Sequence, residues 1–180
     1  MDTRQIARAG VSVALLAVSA WVTIPIGPVP FTLQTLALAI LPAALDRKTA
    51  CTAVAVYLLL GAIGLPVFSG FGGGIGSIAG PTGGFLWGFI LGMLAGTTVE
   101  SLLPKRVPLF ARSLAASIVL LLVSYTCGTV QLMIIGSMDV LAALAIAVIP
   151  FVIPDAVKLF MGTSIGCTVA RAMGHTMQHA

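Results

Sequence analysis

Residues 83–135 read "GGFLWGFILGMLAGTTVESLLPKRVPLFARSLAASIVLLLVSYTCGTVQLMII", two long apolar runs joined by a short basic turn. Roughly 20 helical residues cross a bilayer core about 30 Å thick. The runs Gly83–Leu103 and Leu109–Ile135 are each long enough, and the prolines and charges of "PKRVP" are typical of a helix boundary. This stretch therefore predicts a helical hairpin that crosses a membrane twice.

The composition of the whole chain supports a membrane environment. Of its 180 residues, 59% are hydrophobic and 8% are charged, whereas soluble domains carry about 25% charged residues. We therefore expect an all-α integral membrane protein with one transmembrane domain, residues 1–180, surrounded by membrane lipid. Short loops without aromatic residues between basic ones argue against nucleic acid as a partner.

Apolar runs between proline, glycine and charged residues indicate further spans. Together with the hairpin they give six transmembrane helices. The four additional segments are Ile6–Ile24, Thr32–Leu45, Thr49–Gly64 and Val140–Arg171.

The basic residues predict the orientation of these six spans. One side of the membrane receives eight of the nine: Arg4, Arg8, Arg47, Lys48, Lys105, Arg106, Arg112 and Arg171. The other side receives none, which by the positive-inside rule places both termini in the cytoplasm of a cell-membrane protein. A run ending in "AVSA" (17–20) resembles a signal peptide, but its cleavage would leave an odd number of spans, so we expect it to be retained.

Two loops on the opposite, outer side have unusual sequences. "TIPIGPVPF" (23–31) contains three prolines, which restrict the backbone. "SGFGGGIGSIAGPTGG" (69–84) contains eight glycines, which permit tight turns and close approach to a ligand. Apolar residues interrupt the glycines, so we interpret this segment as a shaped lid or ligand-contacting loop and not as a flexible linker.

Other motifs carry alternative interpretations. Gly88, Gly92 and Gly96 form a smooth helical stripe, suited to internal packing or to a membrane partner. Trp87 is expected either to anchor the protein at the outer interface or to form a wall of a pocket. His175 and His179 have the spacing of metal ligands but no third ligand, so we expect a plain tail.

Asp155 and Lys158 are two charges inside an otherwise apolar segment. Three residues apart, they share one helical face, and Pro150 and Pro154 predict a kinked or opened helix beside them. The pair could only stabilise packing, but intramembrane charges usually mark a substrate, ion or proton site. Polar residues that could converge on the pair from other helices are Gln34, Thr82, Tyr125, Tyr57 and Gln131. No arrangement of nucleophile and base and no metal motif accompanies them, so no catalysis, metal or cofactor is expected.

Three segments resemble the BioY family. They are "PIGPVPFTLQTLALAIL" (25–41), "YLLLGAIGLPVFSGFGGGIGSIAGPTGGFLWGF" (57–89) and "PDAVKL" (154–159). BioY proteins are the substrate-binding S components of energy-coupling factor (ECF) biotin transporters. The resemblance implies a six-helix bundle that binds biotin near the outer face, under the loop after the first helix. Asp155 and Lys158 would then hydrogen-bond the ligand.

The resemblance also implies partners, namely a transmembrane coupling protein and two ATPase subunits. The family's small-residue motif for the coupling protein is matched here by Gly10 and Ala14. Two positions depart from the family: many relatives have an arginine where this chain reads "FGGGIG", and commonly a tyrosine where it has Phe85. Loss of the arginine would weaken any contact with an anion at that loop.

Three other hypotheses stay open at this point. The chain could be an S component for another small vitamin, or an intramembrane enzyme that uses Asp155 as a general base. It could also be a non-transporting scaffold assembled through the Gly88 stripe.

Overall fold

A computed structural model of the chain describes residues 2–25 and 27–174. Most of these residues are helical. The helices are α1 (Thr3–Trp21), α2 (Gln34–Ala44), α3 (Arg47–Ala62), α4 (Ile75–Ala79), α5 (Gly83–Leu102), α6 (Leu109–Gly136), α7 (Val140–Ala147) and α8 (Val152–Ala172). Two short strands, β1 (Thr23–Ile24) and β2 (Phe31–Thr32), form an antiparallel hairpin between α1 and α2.

The hairpin of α5 and α6 is the most extensive helix pair of the fold. The glycine stripe of α5 faces α6 and lets the two backbones approach closely. A Cβ atom added at Gly92 would lie 2.6 Å from the backbone oxygen of Leu120. Because Gly88 and Gly96 are equally crowded by the α6 backbone, the stripe serves packing within the chain.

Helices α2 and α8 also pack closely through glycines. A Cβ atom at Gly166 of α8 would lie 2.5 Å from the backbone oxygen of Ile40 in α2. This close contact holds α8 against α2, and Thr35 in the first turn of α2 donates a hydrogen bond to Asp155 of α8.

The predicted sixth span, Val140–Arg171, is two helices. The backbone leaves helical geometry at Val148, after α7, and α8 begins at Val152. Pro150 lies in the break. Pro154 falls in the first turn of α8. A proline is tolerated there because backbone N–H groups in the first turn have no intrahelical acceptor, so the missing N–H breaks no helical hydrogen bond.

The glycine-rich segment is folded and anchored. It contains a 3-10 turn at Ser69–Phe71 followed by α4. The Gln131 side chain of α6 donates hydrogen bonds to the backbone oxygens of Ile78 (3.0 Å) and Gly80 (2.7 Å). Trp21 donates to the backbone oxygen of Pro66 at 2.7 Å. These tethers fit a shaped loop better than a linker.

Three helices among the described residues are long and apolar enough to cross a membrane: α5, α6 and α8. Helix α2 is apolar but shorter, with 11 residues. The fold is therefore that of a helical membrane protein.

Candidate functional site

A cavity of about 220 Å³ lies where the β1–β2 hairpin and the glycine-rich segment meet the first turns of α2, α5 and α8. One part of its wall is apolar and aromatic, including Phe68, Phe85, Phe89 and Phe151. The remaining wall carries the polar residues Thr32, Gln34, Thr35, Ser124, Tyr125, Asp155 and Lys158. Small-molecule sites commonly combine such an apolar lining with a few placed polar groups.

Asp155 and Lys158 form an ion pair in this wall. Lys158 Nζ lies 2.8 Å from Asp155 Oδ1, and the two residues are 6% and 3% exposed. Two hydroxyl groups also donate to the carboxylate: Thr35 Oγ1 to Oδ1 at 2.9 Å and Tyr125 OH to Oδ2 at 2.7 Å. Three donors therefore hold a buried anion in one orientation, which offsets part of its desolvation.

The ammonium group of Lys158 binds the hairpin as well as Asp155. Its Nζ donates to the backbone oxygen of Thr32 at 2.7 Å and lies 3.6 Å from the centre of the Phe31 ring. Phe31 in turn stacks on Phe151, with ring centres 6.1 Å apart. The charged pair thus links α8 to the β1–β2 hairpin, which lines the cavity, through a charge-assisted hydrogen bond and a cation–π contact.

A second hydrogen-bonded chain positions the amide of Gln34. Gln34 Nε2 donates to the hydroxyl of Tyr57 at 2.8 Å, and that hydroxyl donates to the backbone oxygen of Val67 at 3.0 Å. Thr32 Oγ1 donates to Gln34 Oε1 at 3.0 Å. Tyr57 is fully buried and connects α3, the α2 terminus and Val67, which lies just before the glycine-rich segment.

The structure brings five of the six predicted binding residues to the cavity: Gln34, Thr82, Tyr125, Asp155 and Lys158. It does not bring Trp87 there. Trp87 is 50% exposed on α5, while Phe85, Leu86 and Phe89 of the same helix line the cavity.

Other predicted residues lie away from the cavity. Gly10 and Ala14 are exposed on α1, and a Cβ atom at Gly10 would meet nothing within 4 Å. That face is therefore free of contacts with the described residues. His175 and His179 lie outside the described residues.

Sequence reasoning missed Thr35, Phe31 and Phe151. The polar start of α2 could have suggested Thr35, since it follows Gln34 directly and the rest of the helix is apolar. No local signal distinguishes the two phenylalanines from other apolar residues, because their role depends on stacking across the helix break.

The chemistry of the cavity suits a small, partly polar solute. The Asp155 carboxylate offers acceptors, and the Lys158 ammonium keeps a third N–H beyond the two that it donates to Thr32 and Asp155. The Thr35, Ser124 and Tyr125 hydroxyls already donate their protons within the protein, so they offer acceptor lone pairs. The aromatic wall would hold a flat apolar surface. Fold and cavity together define a helical membrane protein with a site for such a solute.

Comparisons with known proteins identify the family. The family model described as "BioY family" matches residues 1–175. The biotin transporter BioY of Thermotoga maritima is 42% identical over 162 residues, which are 90% of this chain and 93% of the relative. The biotin transporter BioY2 of Lactococcus lactis subsp. cremoris is 35% identical over 167 residues, covering 92% of this chain and 90% of the relative. This chain belongs to the BioY family.

A solved structure has the same fold. It is the crystal structure of the S-component for biotin from an ECF-type ABC transporter, with a TM-score of 0.85 and 95% coverage of both chains. At 22% sequence identity, this similarity supports the arrangement of the helices.

Proposed function

We propose that the protein binds biotin in the cavity and takes it up as the S component of an ECF-type vitamin transporter. The observation that carries this proposal is the buried Asp155–Lys158 pair in the wall of a cavity whose other side is apolar and aromatic. Membership of a family whose relatives are named biotin transporters supports biotin as the solute.

The proposed contacts follow from the chemistry of biotin. The ureido ring has two N–H donors, which suit the Asp155 carboxylate, while the ligand's acceptor oxygens suit the Lys158 ammonium. The fused rings would lie against Phe151 and Phe85. Thr82 would contribute through the α5 N-terminus, where it lines the cavity.

The proposed topology has six membrane crossings in the cell membrane. Helices α1, α2, α3, α5 and α6 supply five, and α7 with α8 supplies the last. Both termini would lie in the cytoplasm, because the α2–α3 and α5–α6 turns carry the basic residues while the β1–β2 hairpin carries none. The cavity would then open to the outer side.

The proposed partners are a transmembrane coupling protein and two ATPase subunits. Gly10 and Ala14 would contact the coupling protein, since they form an exposed, low-profile patch on α1. Replacing Gly10 with leucine should therefore reduce assembly and uptake without reducing biotin binding.

Equilibrium binding of labelled biotin to purified protein in detergent tests the proposal. We expect wild-type protein to bind biotin. Tyr125→Phe and Thr35→Val should each weaken binding about tenfold, because each removes a hydroxyl donor that holds the Asp155 carboxylate in its orientation. Thr126→Val is the matched control: it removes an exposed hydroxyl beside Tyr125 that bonds only its own helix, at Leu122.

The results separate the competing functions. Binding of another vitamin and not of biotin by folded wild-type protein would overturn biotin as the substrate. Chemical conversion of the ligand, lost in Asp155→Asn while binding persists, would favour an intramembrane enzyme. Equal effects of Thr35→Val and Thr126→Val would exclude the cavity as the binding site.

A further inference from the structure

A second and larger cavity, of about 510 Å³, lies at the other end of the bundle. Helices α2, α5, α6 and α8 line both cavities. Helix α5 contributes Phe85 and Phe89 to the first cavity and Thr97 and Glu100 to the second. The second cavity is therefore separated from the solute site by about two turns of α5, from Phe89 to Thr97.

Basic residues surround this second cavity. Four basic side chains line it, and they come from the α2–α3 and α5–α6 turns and from the start of α6: Arg47, Lys105, Arg106 and Arg112. The remaining wall is largely apolar, with residues such as Pro42, Leu103 and Leu109. A cavity with a cationic rim and an apolar wall, close to helix ends, suits an amphipathic anion.

The two acidic residues in the wall are already engaged within the protein. Asp46 caps α3, accepting from the backbone N–H of Thr49 at 3.1 Å and from its hydroxyl at 2.7 Å. Glu100 Oε1 accepts from Ser113 Oγ at 2.9 Å, and its carboxylate interacts electrostatically with Arg112. These acids offset only part of the positive charge.

Donors at the start of α6 are left without acceptors. Arg112 Nε is buried and has no hydrogen-bond partner among the described residues. The N-cap residue of α6, Pro108, makes no side-chain cap, and both Pro108 and Leu109 line the cavity. An uncapped helix N-terminus carries partial positive charge and free N–H groups, which favour an oxyanion.

We infer that this second cavity binds the phosphate group of an anionic membrane lipid. A phosphodiester would accept hydrogen bonds from Arg112 and the α6 N-terminus, and its single negative charge would offset part of the positive charge of Lys105 and Arg106. The acyl chains would follow the apolar wall into the membrane. Basic pockets between transmembrane helices on the cytoplasmic side are suited to anionic headgroups for this reason. A free phosphate ion has the same headgroup chemistry but makes no use of the apolar wall.

Lipid titration of the full-length protein in detergent, followed by native mass spectrometry, tests the inference. The probes are phosphatidylglycerol, phosphatidylcholine and inorganic phosphate. The test variant is Lys105→Gln/Arg106→Gln, and a second is Arg112→Gln. The control, Arg4→Gln/Lys48→Gln, removes the same charge from exposed residues that do not line this cavity.

We expect one phosphatidylglycerol to bind saturably and more tightly than phosphatidylcholine. Both test variants should raise its dissociation constant about tenfold or more, and the control should change it less than twofold. Circular dichroism verifies that each variant is folded. Equal weakening in the double test variant and the control would overturn the site, since surface charge alone would then explain binding. Displacement of the lipid by an equimolar amount of inorganic phosphate would overturn a lipid as the ligand.

Discussion

Breaking the ion pair between Asp155 and Lys158 should destabilise the protein strongly, although replacing both residues should not. Removing one partner of a buried pair costs about 3–5 kcal/mol, because the other charge stays buried without compensation. After Asp155→Asn, Lys158 keeps the backbone oxygen of Thr32 at 2.7 Å and the Phe31 ring at 3.6 Å. These contacts place the expected loss at the lower end, about 3 kcal/mol.

The converse substitution should cost a similar amount. After Lys158→Met, the Asp155 carboxylate keeps the hydroxyl donors of Thr35 and Tyr125. Each hydrogen bond to a charged group contributes about 1.5–3 kcal/mol, so the expected loss is again about 3 kcal/mol. The double variant Asp155→Asn/Lys158→Met buries no charge and should lose only about 1–2 kcal/mol, which gives a coupling energy of about 4–5 kcal/mol.

The assay is unfolding in mixed micelles of maltoside and dodecyl sulfate, followed by circular dichroism, for the wild type and the three variants. Biotin binding is measured in parallel. We expect the double variant to recover stability but not affinity, since the pair that would meet the ligand is gone. Single variants within about 0.5 kcal/mol of the wild type, or losses that simply add, would refute the reasoning by showing that cavity water screens the pair.

Three further predictions test the scaffold. Gly92→Ala should destabilise the protein by about 1–3 kcal/mol, because its methyl group would lie 2.6 Å from a backbone oxygen of α6. Gly10→Ala is the control, since its methyl group would meet no atom within 4 Å, and equal unfolding midpoints for the two variants would contradict the prediction. Tyr57→Phe should cost about 1–3 kcal/mol and weaken biotin binding, because the buried Gln34 amide loses its acceptor; unchanged stability and affinity would exclude this positioning role. Burial raises the pKa of Asp46, but the hydrogen bonds of its helix cap outweigh burial and hold that pKa below its ordinary value of 3.8. The stability from this carboxylate is therefore present above pH 3.8 and lost as the pH falls through the lowered pKa. Asp46→Asn should therefore reduce the fall of the thermal-unfolding midpoint at acidic pH, and an unchanged fall would contradict the prediction.

The helix boundaries were largely predictable from local sequence. The predicted spans Gly83–Leu103 and Leu109–Ile135 each differ from α5 and α6 by one residue at one end. Proline and charge mark these ends, and membrane length sets the distance between them. These properties need no knowledge of neighbouring helices.

The predictions for the binding residues depended on a different physical fact. A charged pair in an apolar segment is costly wherever the segment packs, so Asp155 and Lys158 could be singled out without a structure. Trp87 could not be assigned in the same way. An aromatic side chain is favourable both at a membrane interface and in a cavity, and helix rotation alone decides that Phe85 and Phe89 line the site while Trp87 is exposed.

By itself, then, the sequence determined that this is a helical membrane protein and that Asp155 and Lys158 are charges inside an apolar segment. Hydrophobicity and charge are properties of each residue and can be read without knowing the neighbouring helices. Only the tertiary structure decided which groups surround that pair. Thr35 and Tyr125 reach the carboxylate from α2 and α6, across 120 and 30 positions of chain. Such contacts depend on helix packing, and the glycine contacts that set the packing involve backbone atoms of residues distant in sequence.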